Sequence, residues 1–256
     1  MTARTAEEKF LASYRPEQYA RPAVTVDIVV LTIVDCDLKL LLVERNEHPH
    51  KGRWALPGGF VRVVDAKPGA RDQGEDLDAA AARELSEETS LPPGSAYLEQ
   101  LGAFGKAGRD PRMRVISVAY FSLVRPTLVP LVRGGGDASQ AKWFSVEGLD
   151  LASLAFDHGE MVTAALARAR ARIDESSIAF ELVPETFTIP ELRSVYEAIK
   201  GAPQDAGNFR KRFFRLIEDG VLEVAPGKRV TASKPAKVYR FRRPASASQP
   251  ARQGSA

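Results

Sequence analysis

Three glutamates lie within five residues of one another in the segment RELSEE, residues 83–88. On a helix that turns about 100° per residue, Glu84, Glu87 and Glu88 share one face. Such a cluster can be a solvated acidic face supported by Arg83, or it can bind a hard divalent cation, because carboxylate oxygens are preferred ligands of Mg²⁺. The spacing alone leaves both interpretations open.

Arginines gather in a second segment, RDPRMR, residues 109–114. Alternation along an extended chain places Arg112 and Arg114 on the same side. Their planar guanidinium groups suit phosphate, with which they make bidentate contacts, although a solvated strand edge would have the same composition. Earlier arginines could add charge, and a tryptophan could add a ring for stacking. The candidate ligand contacts from these segments are Arg45, Arg53, Trp54, Arg109, Arg112 and Arg114.

A third segment, NFRKRFFRLI, spans residues 208–217 and is basic. Phe209, Phe213, Leu216 and Ile217 recur at helical spacing and predict one buried stripe. The polar residues between them then face away, as in a helix that enters the major groove, where Arg and Lys contact phosphate or guanine and Asn contacts adenine. A solvated charged face is the alternative. With basic residues of the strand pair that follows, the candidate DNA contacts are Asn208, Arg210, Lys211, Arg212, Arg215, Lys228, Arg229, Lys234 and Lys237.

Runs of β-branched and aliphatic residues predict the elements that position the glutamates and the first arginines. Residues 24–34 and 38–44 predict paired strands around the turn-like DCD, and further strands are predicted at 98–104 and 113–124. Residues 77–89 predict a helix, because Ala, Leu, Glu and Arg dominate without Gly or Pro. Strands around one such helix predict a mixed α/β layered domain.

The pattern changes to helices in the second half of the chain. The first helix is predicted to begin at Asp157 with Glu160 as its capping partner, and His158 is expected to make a local hydrogen bond there rather than bind a metal. Further helices are predicted at 188–201 and 205–220, followed by two short strand patterns. This is the order of a helix-turn-helix with a wing.

The chain of 256 residues is 44% hydrophobic and 27% charged, as expected of a globular protein. No apolar run approaches the roughly 18 residues that span a bilayer, and the start lacks an apolar leader, so we expect a cytoplasmic protein without a membrane partner. One cysteine excludes an internal disulfide, and three histidines argue against structural zinc, so any metal should be held by oxygens. Residues 1–156 have a net charge of −2 (19 Lys and Arg, 21 Asp and Glu) and residues 157–243 one of +4 (16 and 12), which suggests that the second half meets a polyanion.

The acidic segment, with Glu75 separated from Arg83 by seven residues, resembles the Nudix box, G-x5-E-x7-R-E-U-x-E-E-x-G-U, where U is aliphatic. The preceding WALPGG, residues 54–59, is similar to the strand and glycine turn of that family. The resemblance implies a Nudix α/β/α sandwich with a mixed sheet, a diphosphate ligand contacted also by Arg83, and Mg²⁺ or Mn²⁺. The residues that it implies for the metal, and for catalysis in an active hydrolase, are Glu84, Glu87 and Glu88.

Two features depart from the box. Fifteen residues rather than five separate Gly59 from Glu75, so the segment around VVDAKPGARD, residues 63–72, is an insertion. Ser90 stands where the box has its last glycine, whose left-handed conformation a serine adopts at some cost. Both departures favour ligand binding over efficient hydrolysis.

In their order along the chain, the box, RDPRMRVISVAY, AFDH, FTIPELRSVYEAI, NFRKRFF and KPAKVYRF resemble the Nudix-related transcriptional regulators of NAD metabolism. The resemblance implies a homodimer that represses genes of NAD synthesis or salvage, binds double-stranded operator DNA through a C-terminal winged helix-turn-helix domain, and senses ADP-ribose or a related NAD-derived diphosphate. The domains expected are an N-terminal flank (1–20), a Nudix domain (21–156), a winged-helix DNA-binding domain (157–243) and a disordered tail (244–256).

Two other functions stay open at this point. An active Nudix hydrolase would cleave ADP-ribose to AMP and ribose 5-phosphate with metal ions that activate water, and the intact glutamates favour it. The C-terminal domain could instead bind only protein. The insertion, Ser90 and the basic helix favour the repressor, and the sequence leaves enzymatic activity undecided.

Overall fold

The computed structural model describes residues 5–15, 18–64, 74–132, 138–174, 177–230 and 234–242. Most of the predicted insertion and the predicted disordered tail lie outside these residues. Within them, an α/β sandwich is followed by a small unit of helices and a two-stranded hairpin. The predicted fold class is confirmed.

One mixed sheet forms the centre of the sandwich. Its strands are β1 (Ala23–Val34), β2 (Asp37–Arg45), β3 (Trp54–Ala55), β4 (Gly58–Phe60), β5 (Tyr97–Phe104), β6 (Val115–Leu123) and β7 (Ala138–Ser145). They are ordered β3-β2-β1-β6-β5, with β4 paired to β1 and β7 paired to β2. β1 runs parallel to β6 and antiparallel to β2 and β4. The strands predicted from the sequence are confirmed, whereas β7 was missed because ASQAKWFS contains no β-branched residue.

β1 is buried on both faces because its side chains alternate between two helix layers. Ile28 packs in the core shared with α2 (Leu77–Thr89), the helix that was predicted over 77–89. Val29 points to the other face, in the core shared with α3 (His158–Arg172). The sheet therefore lies between two helices and forms the predicted α/β/α sandwich.

α3 joins the two parts of the molecule. It was predicted to belong to the second domain, and in the structure it contacts β1, β5 and β6 of the sheet as well as α4 (Ile189–Lys200). Its buried face includes Ala165 and Ala169, whose small side chains let neighbouring elements approach closely. One hydrophobic core runs from the sheet through α3 into the second unit.

The second unit has the predicted order of elements. α4 begins with a capping box of Thr188 and Glu191 and ends at Gly201, whose φ of 66° is left-handed. The next helix begins after Asp205, whose side chain accepts a hydrogen bond from the Asn208 backbone N–H at 2.8 Å. The remaining elements are α5 (Ala206–Glu218), β8 (Leu222–Arg229) and β9 (Ala236–Phe241).

The apolar stripe of α5 packs inward as predicted, with its two phenylalanines buried and its last two residues partly buried against the same core. The Phe209 ring meets Tyr196 of α4 edge-on with centroids 5.3 Å apart, and Phe213 meets Tyr239 of β9 in the same way at 4.7 Å. These contacts hold α5 against both α4 and the hairpin, so the opposite side of α5 is turned outward.

The predicted N-terminal flank contains one further helix, α1 (Ala6–Ser13), which is capped by Thr5 and Glu8 and has no buried residue. Across the described part of the chain, every helix is too short or too polar to span a bilayer.

Candidate ligand pocket and DNA-binding face

The acidic segment lies on α2, which ends at Ser90. Ser90 has φ 60° and ψ 15°, the left-handed conformation that was predicted for this position, and its N–H donates to the Ser86 carbonyl at 2.9 Å. An L-residue adopts this conformation at a cost of about 1 kcal/mol or more. The helix end that a glycine usually makes is therefore kept by a serine.

Arg83 holds the carboxylates of this segment together. Its guanidinium donates to both oxygens of Glu75 at 2.9 and 2.6 Å, to Glu84 at 2.6 Å and to Glu87 at 2.9 Å. Arg62 adds a second contact to Glu87 at 3.0 Å. The hydrogen bond from Arg83 lowers the pKa of Glu75 to about 2 and also lowers the pKa of Glu87. Arg83 is thus paired with the glutamates around it, and its contact with a ligand stays a prediction.

The glycine turn before the insertion lets α2 approach β4 closely. A Cβ on Gly59 would lie 2.4 Å from Oε1 of Glu84, and the Gly58 N–H donates to Glu88 Oε2 at 3.1 Å. Burial raises the pKa of Glu84, against the opposing hydrogen bond from Arg83. The glycines thus form a cradle in which Glu84 and Glu88 lie against the β4 backbone.

The oxygen donors of Glu84, Glu87 and Glu88 suit a hard divalent cation, and the cradle at Gly59 is a place where such carboxylates are held close to backbone. In the described residues, no three His, Cys, Asp or Glu side chains converge closely enough to hold a metal. Arg83 contacts Glu84 and Glu87 at once. A metal would therefore be held by the three glutamates only after Glu84 and Glu87 exchange the Arg83 guanidinium for the metal.

A cavity of about 350 Å³ opens beside the glycine turn. Its lining includes four of the residues predicted from the sequence, Arg45, Arg109, Arg112 and Glu88. Burial and the neighbouring charge of Arg112 lower the pKa of Arg45. Because Arg45 and Arg112 both line the cavity and repel each other, an anion bound between these two residues would relieve their repulsion.

Other predicted ligand residues lie elsewhere. Alternation was expected to put Arg114 beside Arg112, but β6 begins only at Val115, and Arg112 lies in a turn where its guanidinium binds Asp110 at 2.7 and 3.0 Å. Arg114 donates to the Gly105 carbonyl at 2.6 Å instead.

The Trp54 ring packs edge-on against Phe144 with centroids 4.7 Å apart, within the core. The Arg53 backbone N–H closes a turn onto the His50 carbonyl at 3.0 Å. Neither residue contributes to the lining of the cavity, because the short strand β3 turns Trp54 inward, toward the core.

Two aromatic rings stand beside the pocket arginines. Phe60 is 44% exposed at the cavity, and Phe156 has a φ of 52°, which is unusual for an aromatic residue. The Arg112 guanidinium lies 5.4 Å from the Phe60 centroid and 6.0 Å from that of Phe156, and Arg45 lies 4.8 Å from Phe156. The pocket thus combines cations that suit phosphate with ring faces that suit a base.

His158 makes a long-range hydrogen bond, so the prediction of a local one was wrong. Its Nδ1 accepts from the Leu56 backbone N–H at 2.9 Å, and its Nε2 lies 3.5 Å from Asp27 Oδ1. Because Nδ1 accepts a hydrogen bond, the ring carries its proton on Nε2 and is neutral. Burial lowers the pKa of His158, which also favours the neutral form. The histidine joins the start of α3 to the turn between β3 and β4.

Asp157 precedes α3 at the capping position, but its side chain makes no cap, so the predicted capping pair with Glu160 was wrong. Arg109 holds it instead, donating through Nε at 2.9 Å and through Nη2 at 2.6 Å. Arg109 also lies 3.7 Å from Asp27, and its side chain is only 4% exposed. One sequence signal pointed here, since a charge such as Asp27 inside an apolar strand requires a partner.

The basic residues of the second unit differ in their exposure to solvent. Arg212 of α5 donates to Asp174 at 2.5 Å and lies 4.6 Å from the Tyr196 centroid, and Arg229 pairs with Glu191 at 3.2 Å. Arg212 was predicted to face away from the core, but it lies at the border of the buried stripe, next to α4. The predicted DNA residues that are exposed are Asn208, Arg210, Lys211, Arg215, Lys228, Lys234 and Lys237.

These features define a Nudix-domain protein with a C-terminal winged helix. Residues 23–165 match the NUDIX domain family, whose hydrolases generally use divalent metals, and residues 179–241 match the NrtR DNA-binding winged helix domain. The chain is also 34% identical over 237 residues to the "ADPR responsive transcriptional repressor NtrR" of Acinetobacter baylyi, a match that covers 93% of this chain and 89% of the relative. The protein therefore belongs to the NrtR family of Nudix-related transcriptional regulators, and the predicted resemblance is confirmed.

Solved structures agree with this assignment. NrtR of Shewanella oneidensis in complex with a 27mer DNA superposes with a TM-score of 0.66 at 31% identity, over 86% of this chain and 93% of that one. The NUDIX domain of the same protein in complex with ADP ribose gives a TM-score of 0.51 at 33% identity, over 64% of this chain and 99% of that one.

Proposed function

We propose that this protein is a transcriptional repressor that responds to ADP-ribose. Its winged helix binds double-stranded operator DNA, and its Nudix domain binds ADP-ribose or a related NAD-derived diphosphate. The observation that carries the proposal is the convergence of Arg45, Arg109 and Arg112 on one cavity beside two rings, in a chain that also presents the exposed basic side of α5. The resemblance to the Nudix-related transcriptional regulators of NAD metabolism implies that the regulated genes are those of NAD synthesis or salvage.

Matched arginine variants test the pocket. Calorimetric titration with ADP-ribose should show binding that Arg112→Ala weakens about 10-fold or more, because a hydrogen bond to a charged group contributes about 1.5–3 kcal/mol. Arg114→Ala is the control, since Arg114 donates to the Gly105 carbonyl and lies outside the cavity lining. Equal losses in the two variants, or no binding by the wild type, would overturn the pocket assignment.

The metal proposed for this site is Mg²⁺ or Mn²⁺ on Glu84, Glu87 and Glu88. A bound divalent ion would neutralise the diphosphate and, in a hydrolase, acidify water. The fit is supported by the oxygen donors and the Gly59 cradle. Manganese titration should show binding that Glu87→Gln/Glu88→Gln loses, and unchanged affinity in that double variant would remove the assignment.

A second function, ADP-ribose hydrolysis, is favoured by the three intact glutamates. Against it stand the engagement of Glu84 and Glu87 by Arg83 and the strained helix end at Ser90. Incubation of pure protein with ADP-ribose and magnesium, followed by an assay of AMP, separates the two. We expect little or no AMP. Rapid release of AMP would mean that the main function of the pocket is hydrolysis of ADP-ribose rather than sensing.

The repressor is also proposed to be a homodimer, because a winged helix reads paired half-sites when a two-fold axis relates two copies. Sedimentation equilibrium should give twice the 27.9 kDa mass of the chain. A monomer at the concentrations used for DNA binding would contradict this.

A further inference from the structure

α3 connects the ligand pocket with the DNA-binding helix, and an aspartate flanks each of its ends. Asp157 precedes its first residue, and Asp174 follows its last residue by two. The helix has 15 residues, which at 1.5 Å each is about 22 Å of rigid element. Both aspartates bind cations that belong to other elements.

At the pocket end, Asp157 and the cavity share one guanidinium. Arg109 lines the cavity and donates to both carboxylate oxygens of Asp157, at 2.9 and 2.6 Å. Held in this way, Asp157 does not use its side chain to cap α3, although it occupies the capping position. In the first turn, the His158 and Glu160 N–H groups already donate to the Ala155 and Asp157 carbonyls at 3.2 and 3.0 Å. An anion that draws Arg109 toward the cavity would therefore release the Asp157 side chain to the N–H of Gly159, the second residue of the helix.

At the far end, Asp174 ties α3 to both helices of the DNA-binding unit. Lys200 of α4 donates to it at 2.7 Å, and Arg212 of α5 does so at 2.5 Å. Arg170 of α3 adds a hydrogen bond to the Ile199 carbonyl at 3.1 Å. The orientation of α5 is therefore fixed partly by groups at the end of α3.

We propose that Asp157 and Asp174 are positioning residues that couple the ligand pocket to α5, with α3 as the rigid connection between them. The proposal rests on the proposed function, whose pocket and DNA face it joins. A diphosphate in the cavity competes with Asp157 for Arg109, α3 shifts as its first turn is recapped, and the Asp174 pairs carry the shift to α5. A ligand moves such an equilibrium only through its different affinity for the two states, and the Arg109–Asp157 pair supplies that difference.

The test uses the full-length protein. It compares two variants in which an aspartate is replaced by the uncharged asparagine with two matched controls. Asp157→Asn and Asp174→Asn weaken one end each, while Glu160→Gln on α3 and Glu218→Gln on α5 remove an exposed carboxylate from the same helices. The DNA probe is a duplex that wild-type protein selects from a random-sequence library, and the ligand is ADP-ribose. Operator affinity is measured with and without ADP-ribose, and ADP-ribose affinity is measured by calorimetry.

In wild-type protein and both controls, we expect ADP-ribose to weaken DNA binding by about 5–150-fold, the usual range of allosteric coupling. Asp157→Asn should bind ADP-ribose more tightly yet lose most of this response, because the ligand no longer displaces a carboxylate. Asp174→Asn should keep wild-type ADP-ribose affinity and also lose most of the response. A variant that merely loosened the fold would not combine tighter ligand binding with a weaker response.

The outcomes distinguish the coupling from the proposed function. If ADP-ribose does not change DNA binding by the wild type, the proposed function fails. If the wild type responds to ADP-ribose and both aspartate variants respond as strongly as the wild type, the coupling through α3 is wrong while the proposed function stands. Loss of the response in the Glu160→Gln or Glu218→Gln control would also overturn the assignment to Asp157 and Asp174.

Discussion

Arginine and lysine are used differently in the two halves of the molecule. In the Nudix half, the side chains of Arg83 and Arg109 are 16% and 4% exposed and are held by carboxylates of their own chain. On α5, Lys211 and Arg215 are exposed on the outward side of a helix that is fixed by buried rings. The difference indicates that cations in the first half hold the structure and can exchange partners, whereas those on α5 are placed to meet an external polyanion.

The largest expected effect tests this difference directly with the same substitution in each half. Arg109→Met leaves Asp157 and Asp27 without their buried cation, so the free energy of unfolding should fall by about 3–5 kcal/mol. Lys211→Met removes an exposed charge and should change it by about 0.5 kcal/mol or less. Urea denaturation followed by circular dichroism measures both. Similar decreases in the two variants would remove the distinction.

The next effect concerns DNA affinity. Lys211→Ala/Arg215→Ala should weaken binding to the selected duplex without unfolding the protein. The slope of log affinity against log salt should flatten by about 0.9 for each phosphate that the variant no longer neutralises. Arg212→Ala is the informative partner, because Arg212 binds Asp174 and Tyr196. It should weaken binding without the same change in slope.

An unchanged slope and affinity in Lys211→Ala/Arg215→Ala would mean that α5 is not the recognition helix. A flattened slope in Arg212→Ala would mean that Arg212 neutralises a DNA phosphate, as the sequence predicted. Melting temperatures of both variants, measured beside the wild type, provide the control for folding.

Features that depend on local spacing could be predicted from the sequence, whereas contacts between distant residues could not. The apolar stripe of α5 and the helix starts near Thr188 and Asp205 follow from local spacing, and the structure confirms them. The network of Asp27 and Arg109 joins residues far apart in the chain, so no local pattern contains it. The pocket was predicted only in part. Arg112 and Arg114 are the same residue type at a spacing that an extended strand would place on one side, but Arg112 lies in a turn where it binds Asp110, and only Arg112 lines the cavity.

A smaller effect is expected in acid. The pKa of Glu75 is lowered to about 2 by its hydrogen bond from Arg83, so the carboxylate stabilises the fold above its unfolded pKa of about 4.3, and this contribution is lost as the pH falls toward 2. Glu75→Gln should therefore flatten the dependence of unfolding free energy on pH in that window.

Glu84→Gln is the matched control for the acid experiment. Burial raises the pKa of Glu84, so its ionisation opposes folding at pH values above the unfolded pKa and contributes little below it. Its variant should leave the slope at lower pH unchanged. If both variants flattened the same window, Arg83 would not distinguish the two glutamates as the hydrogen bonds indicate.

The smallest expected effect compares two helix ends, one in each half. Ser90 and Gly201 both end a helix in the left-handed conformation, with φ of 60° and 66°. Ser90→Gly should raise the free energy of unfolding by about 0.5–1 kcal/mol, because glycine adopts this conformation without steric cost. Gly201→Ala should lower it by about 1 kcal/mol, since a Cβ there meets nothing within 4 Å and only the backbone is strained.

Differential urea unfolding resolves changes of this size when both variants are measured beside the wild type. A loss of stability in Ser90→Gly would mean that the serine side chain makes a contribution larger than the strain of its backbone. The same variant sharpens the question of hydrolysis, because it restores the glycine of the Nudix box while leaving Arg83 on Glu84 and Glu87. If Ser90→Gly released AMP from ADP-ribose and the wild type did not, the helix end would limit catalysis. If neither released AMP, the engagement of the glutamates by Arg83 would be the stronger explanation for a pocket that binds its ligand without cleaving it.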